Sequence, residues 1–176
     1  MSQIDLIILG YLQNKEKSAY EMVKEFETWK LHYWLKISNP AIYKNIVKLY
    51  KNGYLNSRTV KEGEMPEKTI YSINEKGLSY FSELMEYSSN NIGRIYFDFN
   101  AFLTNVENVP LEKRKELLLN FKKNLDETKT QMNFNYDKQL KIKGTPDHAF
   151  LLLDLYKDLY DLLENWSSKV LKHYNV

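Results

Sequence analysis

Apolar positions recur at helical spacing along almost the whole chain, with one short stretch of strand-like sequence between residues 55 and 73. Ile4 to Leu12 is a compact apolar segment whose Leu6, Ile7, Leu9 and Leu12 can line one side of a helix. Asn14-Lys15-Glu16-Lys17 is a polar break. Ser18-Ala19-Tyr20-Glu21 then has the spacing of a capping box, in which the Ser18 hydroxyl accepts from the N–H three residues on and Glu21 reaches back. The second helix runs to about Trp29 and buries Met22, Val23 and Phe26. An aromatic-rich connection, Trp29 to Ile37, leads to a third helix opening at Ser38-Asn39-Pro40. Asn39 is the expected cap, and Pro40 suits a first turn, where its missing N–H would be unpaired anyway. Asn52-Gly53 ends this helix.

Leu55 to Val60 and Thr69 to Ile73 are β-prone, and Lys61 to Lys68 joins them as a turn, which predicts a hairpin with a long tip. Asn74 is placed to cap a helix from about Glu75 past Tyr96 to roughly Val106. Pro110 begins a second, in which Leu118, Phe121, Leu125, Thr128 and Met132 step by three and four. Lys143-Gly144-Thr145-Pro146 is a break, with Thr145 the expected cap of a last helix and Pro146 its first residue. That helix carries a wide apolar stripe through Leu152, Leu155, Tyr156, Leu159, Leu162, Leu163, Trp166 and Val170. Three helices and then a hairpin is the order of a winged helix-turn-helix. The predicted fold is mainly α: a winged helix-turn-helix with a two-stranded wing over residues 1–80, then an all-helical dimerisation region over residues 81–176 that can also take an effector.

Charge sharpens this division. The whole chain is only +2, but from Thr28 to Lys61 there are seven basic residues and no acidic one: Lys30, Lys36, Lys44, Lys48, Lys51, Arg58 and Lys61. Residues 1–80 hold twelve basic and nine acidic residues, net +3, against thirteen and fourteen, net −1, in residues 81–176. Clustered cations that displace condensed counterions are what a phosphate backbone selects. On the third helix, Ile42, Ile46, Leu49, Tyr43, Tyr50 and Val47 fill one broad arc, the expected core side. Lys44, Lys48 and Lys51 stack at i, i+4 and i+7, with Ala41, Asn45 and Asn52 beside them. Residues early in such a helix reach base edges, which points to Asn39, Ala41, Lys44 and Asn45. Lys48 and Lys51 are expected at phosphate. Arg58, Lys61 and Lys68 give the wing three cations, opposed by Glu62, Glu64 and Glu67. Tyr20 and Tyr43 lie near helix N-termini, where a phenol can donate to phosphate while its ring packs inward. Any one of these alone would read as a solvated face or as core packing. Together they predict double-stranded DNA as partner. A basic face that binds a protein is the alternative.

Four pieces of the chain resemble the PadR family of bacterial transcriptional regulators. Ile7-Ile8-Leu9-Gly10-Tyr11-Leu12 resembles that family's I-L-G-x-L, and Ser18-Ala19-Tyr20-Glu21 its [HS]-G-Y-E. Ser38-Asn39-Pro40-Ala41-Ile42-Tyr43, followed by Leu49 and Gly53-Tyr54-Leu55, resembles S-x-x-x-[IL]-Y and L-x-x-x-G-L-[IL]. Pro66 to Gly77 resembles P-x-[RK]-[RK]-x-Y-x-[IL]-T-x-x-G, with Thr69 where a second base is common. The pieces cover about half the chain. The resemblance implies a homodimer that represses transcription from a palindromic operator and, in many members, is released by a small molecule.

Other classes find no support. With no cysteine there is no disulfide scaffold, thiolate zinc site or cysteine nucleophile. His32, His148 and His173 are scattered without a ligand spacing, so no metal is expected. No H-E-x-x-H, G-x-S-x-G or glycine-rich phosphate loop occurs, so neither catalytic residues nor a cofactor are expected. The start lacks a signal-peptide pattern and no apolar run approaches the ~20 residues of a membrane span. The expectation is a cytoplasmic protein. Aromatics concentrate in the C-terminal half, and Tyr96, Phe97, Phe99 and Trp166 are candidates for a site that takes a small aromatic ligand. Packing within a dimer core is the plainer account of the same residues.

Overall fold

The computed structural model describes residues 2–33, 35–61, 67–142 and 145–176, with only the backbone described at Tyr33. The chain forms two compact units, Met1–Arg94 and Ile95–Val176. The first holds α1 (Gln3–Leu12), β1 (Lys17–Ser18), α2 (Ala19–Thr28), a 3-10 turn at Leu31–Tyr33, α3 (Asn39–Lys51), β2 (Leu55–Val60), β3 (Lys68–Ile73) and α4 (Glu75–Asn90). The second holds α5 (Asn100–Asn105), a 3-10 turn at Val106–Asn108, α6 (Leu111–Leu140) and α7 (Asp147–His173). The fold is the expected winged helix followed by helices, with the hairpin β2–β3 in register from Leu55↔Ile73 to Val60↔Lys68.

In the first unit Ile8, Leu9 and Leu12 of α1 pack with Met22 and Phe26 of α2, Ile42, Ile46 and Leu49 of α3, Leu55 of β2 and Leu84 of α4. The capping box forms. The Ser18 N–H donates to the Glu21 carboxylate at 2.8 Å, and the Glu21 N–H donates to the Ser18 hydroxyl at 3.3 Å. Those Ser18 hydrogen bonds, backbone first, hold the Glu21 carboxyl below its usual range, with Lys68 and Lys17 adding to the effect. Gly53, with φ of +74°, turns the chain out of α3 as expected. The Asn74 carboxamide accepts from Gly77 N–H at 2.9 Å and donates to Gly53 carbonyl at 3.1 Å, so it caps α4 and ties it to the exit of α3.

Several expectations are corrected. The polar break at Asn14 to Lys17 contains the start of β1, which pairs antiparallel with β3 and gives the sheet order β1-β3-β2. Two residues carry no readable alternation. On α1 the buried side is Asp5, Ile8, Leu9 and Leu12, spaced i, i+3, i+4, i+7, while Leu6 and Ile7 are only half-buried. The cap of α3 is Ser38, without a side-chain cap bond, and Asn39 is the first helical residue. The Asn39 amide instead donates to Glu27 across the turn between α2 and α3.

The long helix expected from Glu75 to Val106 is broken: α4 stops at Asn90 and α5 starts at Asn100. Ser89, Asn90 and Asn91 donate their side chains to the carbonyls of Glu86 and Tyr87, and Gly93 has φ of +79°. Polar side chains that satisfy the backbone locally, then a left-handed glycine, end a helix whatever the apolar spacing beyond.

In the second unit α6 and α7 form an antiparallel pair. Lys129 meets Asp161 and Glu164, the Lys157 ammonium lies 5.9 Å from the Tyr136 ring, and Phe121 meets Trp166, so partners on α7 fall in number as α6 advances. Leu118 and Leu125 of α6 and Leu153 and Leu163 of α7 are buried. The expected cap of the last helix is corrected too. Pro146 occupies the cap position of α7. Thr145 accepts from Gln139 and donates to the carbonyl of Ile142, closing the connection from α6, whose Lys143-Gly144 lies outside the described residues.

Candidate nucleic-acid interface

Helix α3 turns Ile42, Ile46 and Leu49 inward, and almost everything else outward. The apolar arc is therefore narrower than expected. Tyr43, Val47 and Tyr50 are exposed, at 39%, 43% and 45%. At i, i+4, i+7 and i+11, Pro40, Lys44, Val47 and Lys51 form one outward row opposite the buried side. Ala41 and Asn45 are half-buried on the flank. Among the described residues, Lys44 and Lys51 have no ion-pair partner, and the stretch around them carries no acid. This is an open cationic surface with an apolar centre.

Lys48 differs. Its ammonium lies 3.2 Å from the carboxylate of Asp5, which is fully buried in α1 and whose other oxygen has no hydrogen-bond partner. Tyr80 of α4 is close by: burial pushes its phenol above the usual range, and the Asp5 carboxylate adds to this. The lysine expected at phosphate is thus engaged where α1, α3 and α4 meet. Sequence reasoning missed Asp5 as its partner. The available signal was its spacing with Ile8, Leu9 and Leu12, which puts a carboxylate on the buried stripe of α1.

Around α3, Tyr20 is 66% exposed at the start of α2. The wing cations are partly occupied. The Arg58 guanidinium lies 2.8 Å from Glu16, and the Lys68 ammonium 3.6 Å from Glu21. Lys61 is exposed beyond β2. Glu62 and Glu64 lie outside the described residues, and Glu67 is exposed. In this unit Tyr20, Asn39, Tyr43, Lys44, Lys51, Arg58 and Lys61 are all solvent-facing.

Residues 8–83 match the model of the transcriptional regulator PadR-like family. The module of residues 8–83 is PadR-like. Its fold is similar over nearly its whole length to that of Bacillus subtilis PadR in complex with operator DNA, with TM-score 0.80, 18% identity, and 99% of this chain and 98% of that one covered. Bacillus subtilis PadR in complex with p-coumaric acid is similar at TM-score 0.75 and 15% identity, covering 100% and 99%. The Vibrio cholerae virulence activator AphA is similar at TM-score 0.70 and 18% identity, covering 98% of each. No protein of curated function matches this sequence. The PadR-like family is one of transcriptional regulators, not of enzymes.

The second unit carries an aromatic cluster. Phe97 and Phe99 stack at 5.0 Å, Phe99 and Trp166 at 5.7 Å, and Phe121 meets Phe99, Phe102 and Trp166 edge-on or tilted. Candidate residues Phe97, Phe99 and Trp166 are brought together, while Tyr96 stays 73% exposed in the segment before α5. On α7, Leu151, Leu155 and Leu162 are exposed apolar residues on one side of the helix, with Leu152 exposed on the flank towards Leu163. Among the described residues no group of three potential ligands can hold a metal, and no helix is long and apolar enough to cross a membrane.

Proposed function

We propose that this PadR-like chain is a cytoplasmic homodimeric repressor that binds a palindromic operator through α3 of each subunit. The observation that carries this is the outward row of α3, where Lys44 and Lys51 stand without acidic partners on a winged helix. The exposed leucines of α7 support pairing with a second copy, because a stripe of that size is normally covered. With Lys51 and Lys61 free to meet phosphate in each of two subunits, affinity for the operator is expected to fall with salt at a log–log slope of about −4. Selected genomic fragments should carry half-sites about 10 base pairs apart, centre to centre, or a multiple of that. A slope near zero, or capture of a protein in place of any DNA sequence, would favour the protein-partner reading.

We further propose that a planar phenolic or similar small aromatic weakens DNA binding from a site at Phe97, Phe99 and Trp166, with Tyr96 at its edge. The ring cluster supports a flat apolar ligand, and an effector acts only by binding the DNA-incompetent form more tightly. Such a compound should change Trp166 fluorescence, and Trp166→Leu should remove that change while leaving ligand-free operator affinity intact. Fluorescence and operator release untouched across a panel of aromatic acids would return the cluster to plain core packing.

A further inference from the structure

We infer that Val47 is a specificity-determining residue that reads the 5-methyl group of thymine in the major groove. The inference rests on the DNA-binding reading above and deepens it. Val47 stands where two rows of side chains cross on the open side of α3. One row is Pro40, Lys44, Val47 and Lys51; the other is Tyr43, Val47 and Tyr50. It lies on the open side, away from the buried Ile42, Ile46 and Leu49, and at 43% exposure it is the branched aliphatic side chain of α3 that faces solvent. Lysines bound it on one side and tyrosines on the other, so the methyls of Val47 sit at the middle of a surface that is polar at its edges.

That arrangement matches one feature of DNA. On the major-groove edge thymine alone among the bases carries a methyl, at C5, where cytosine carries only hydrogen. A β-branched side chain offers two methyls and no polar atom, so it favours thymine over cytosine through apolar contact with the methyl that cytosine lacks. Its stiff χ1 fixes where those methyls stand. A phosphate contact from Lys51 on the same row would set the depth at which the helix enters, and Val47 would then report the base at that depth.

The test uses the full-length protein and an operator selected from genomic fragments. Each thymidine is replaced in turn by deoxyuridine, which removes only the methyl. Affinity is expected to fall about three- to tenfold at one or two positions in each half-site. Val47→Ala should bind thymidine and deoxyuridine forms equally there, with the salt slope unchanged. Alanine is the better helix former at this exposed position, so folding does not confound the comparison. Wild-type protein indifferent to every deoxyuridine, or Val47→Ala with undiminished sensitivity, overturns the inference while leaving DNA binding in place. Failure to enrich any fragment over scrambled DNA overturns the DNA reading itself.

Discussion

Gly77→Ala is expected to lower the stability of the first unit by about 3 kcal/mol. A Cβ at Gly77 would stand 2.2 Å from the carbonyl oxygen of Tyr54 and 2.7 Å from the Ile73 side chain. The nearer obstacle is backbone, so no rotamer change relieves it, and α4 must withdraw. Withdrawal strains the Asn74 bond to Gly53, the Lys76 bond to the carbonyl of Asn52 at 2.9 Å, and the stack of Tyr54 on Tyr80 at 4.4 Å. Urea denaturation of the full chain measures the effect. Two other glycines calibrate it. At Gly10 a Cβ would meet only the edge of the Phe81 ring at 3.1 Å, and at Gly93 it would meet nothing, leaving the strain of positive φ, about 1 kcal/mol. A Gly77→Ala midpoint no lower than that of Gly93→Ala would show that α4 does not rest on Tyr54 as described.

Lys48→Ala should be the next most damaging change, at about 2 kcal/mol. Removing the cation from a buried ion pair costs roughly 3–5 kcal/mol when both partners are dry. Here Asp5 is dry, but the Lys48 side chain is 52% exposed, so water offsets part of that cost. Lys44→Ala and Lys51→Ala, on the open row, should each stay within about 0.5 kcal/mol of wild type. Adding Asp5→Asn to Lys48→Ala should recover stability, because the stranded carboxylate is then gone. The salt slope of DNA binding should not change in Lys48→Ala. Removing a lysine that does neutralise phosphate flattens the slope by about one unit for each phosphate it served. A Lys48→Ala protein that melts like wild type but has a flattened slope would place Lys48 on phosphate after all.

The contrast among these lysines marks how far sequence alone reaches. The winged helix was legible because its junctions carry local chemistry: Ser18 with Glu21, Asn52 with Gly53, Asn74 before α4. Each specifies a helix end without reference to the rest of the chain. Lys44, Lys48 and Lys51 look alike at i, i+4, i+7, yet only the fold brings Asp5, forty-three positions away, to one of them. Tyr43, Val47 and Tyr50 look like core for the same reason. Periodicity says that they share an arc with Ile46, and only the number of elements packed around α3 decides how wide that arc is. The break after Asn90 was readable in Ser88 to Gly93, but the aromatic run that follows keeps helical spacing, and spacing outweighed composition. β1 is two residues long and exists only because β3 lies beside it.

The grip of α4 on the exit of α3 has a mechanical consequence. Gly77 brings the helix against Tyr54, Asn74 and Lys76 hold the carbonyls of Gly53 and Asn52, the Lys76 ammonium lies 4.8 Å from the Tyr54 ring, and Leu84 enters the shared core. With its root clamped at so many points, α4 is expected to carry α3 with it when it moves. The lever so formed ends at Asn90, where the helical ladder of α4 stops ahead of Gly93 at φ of +79°.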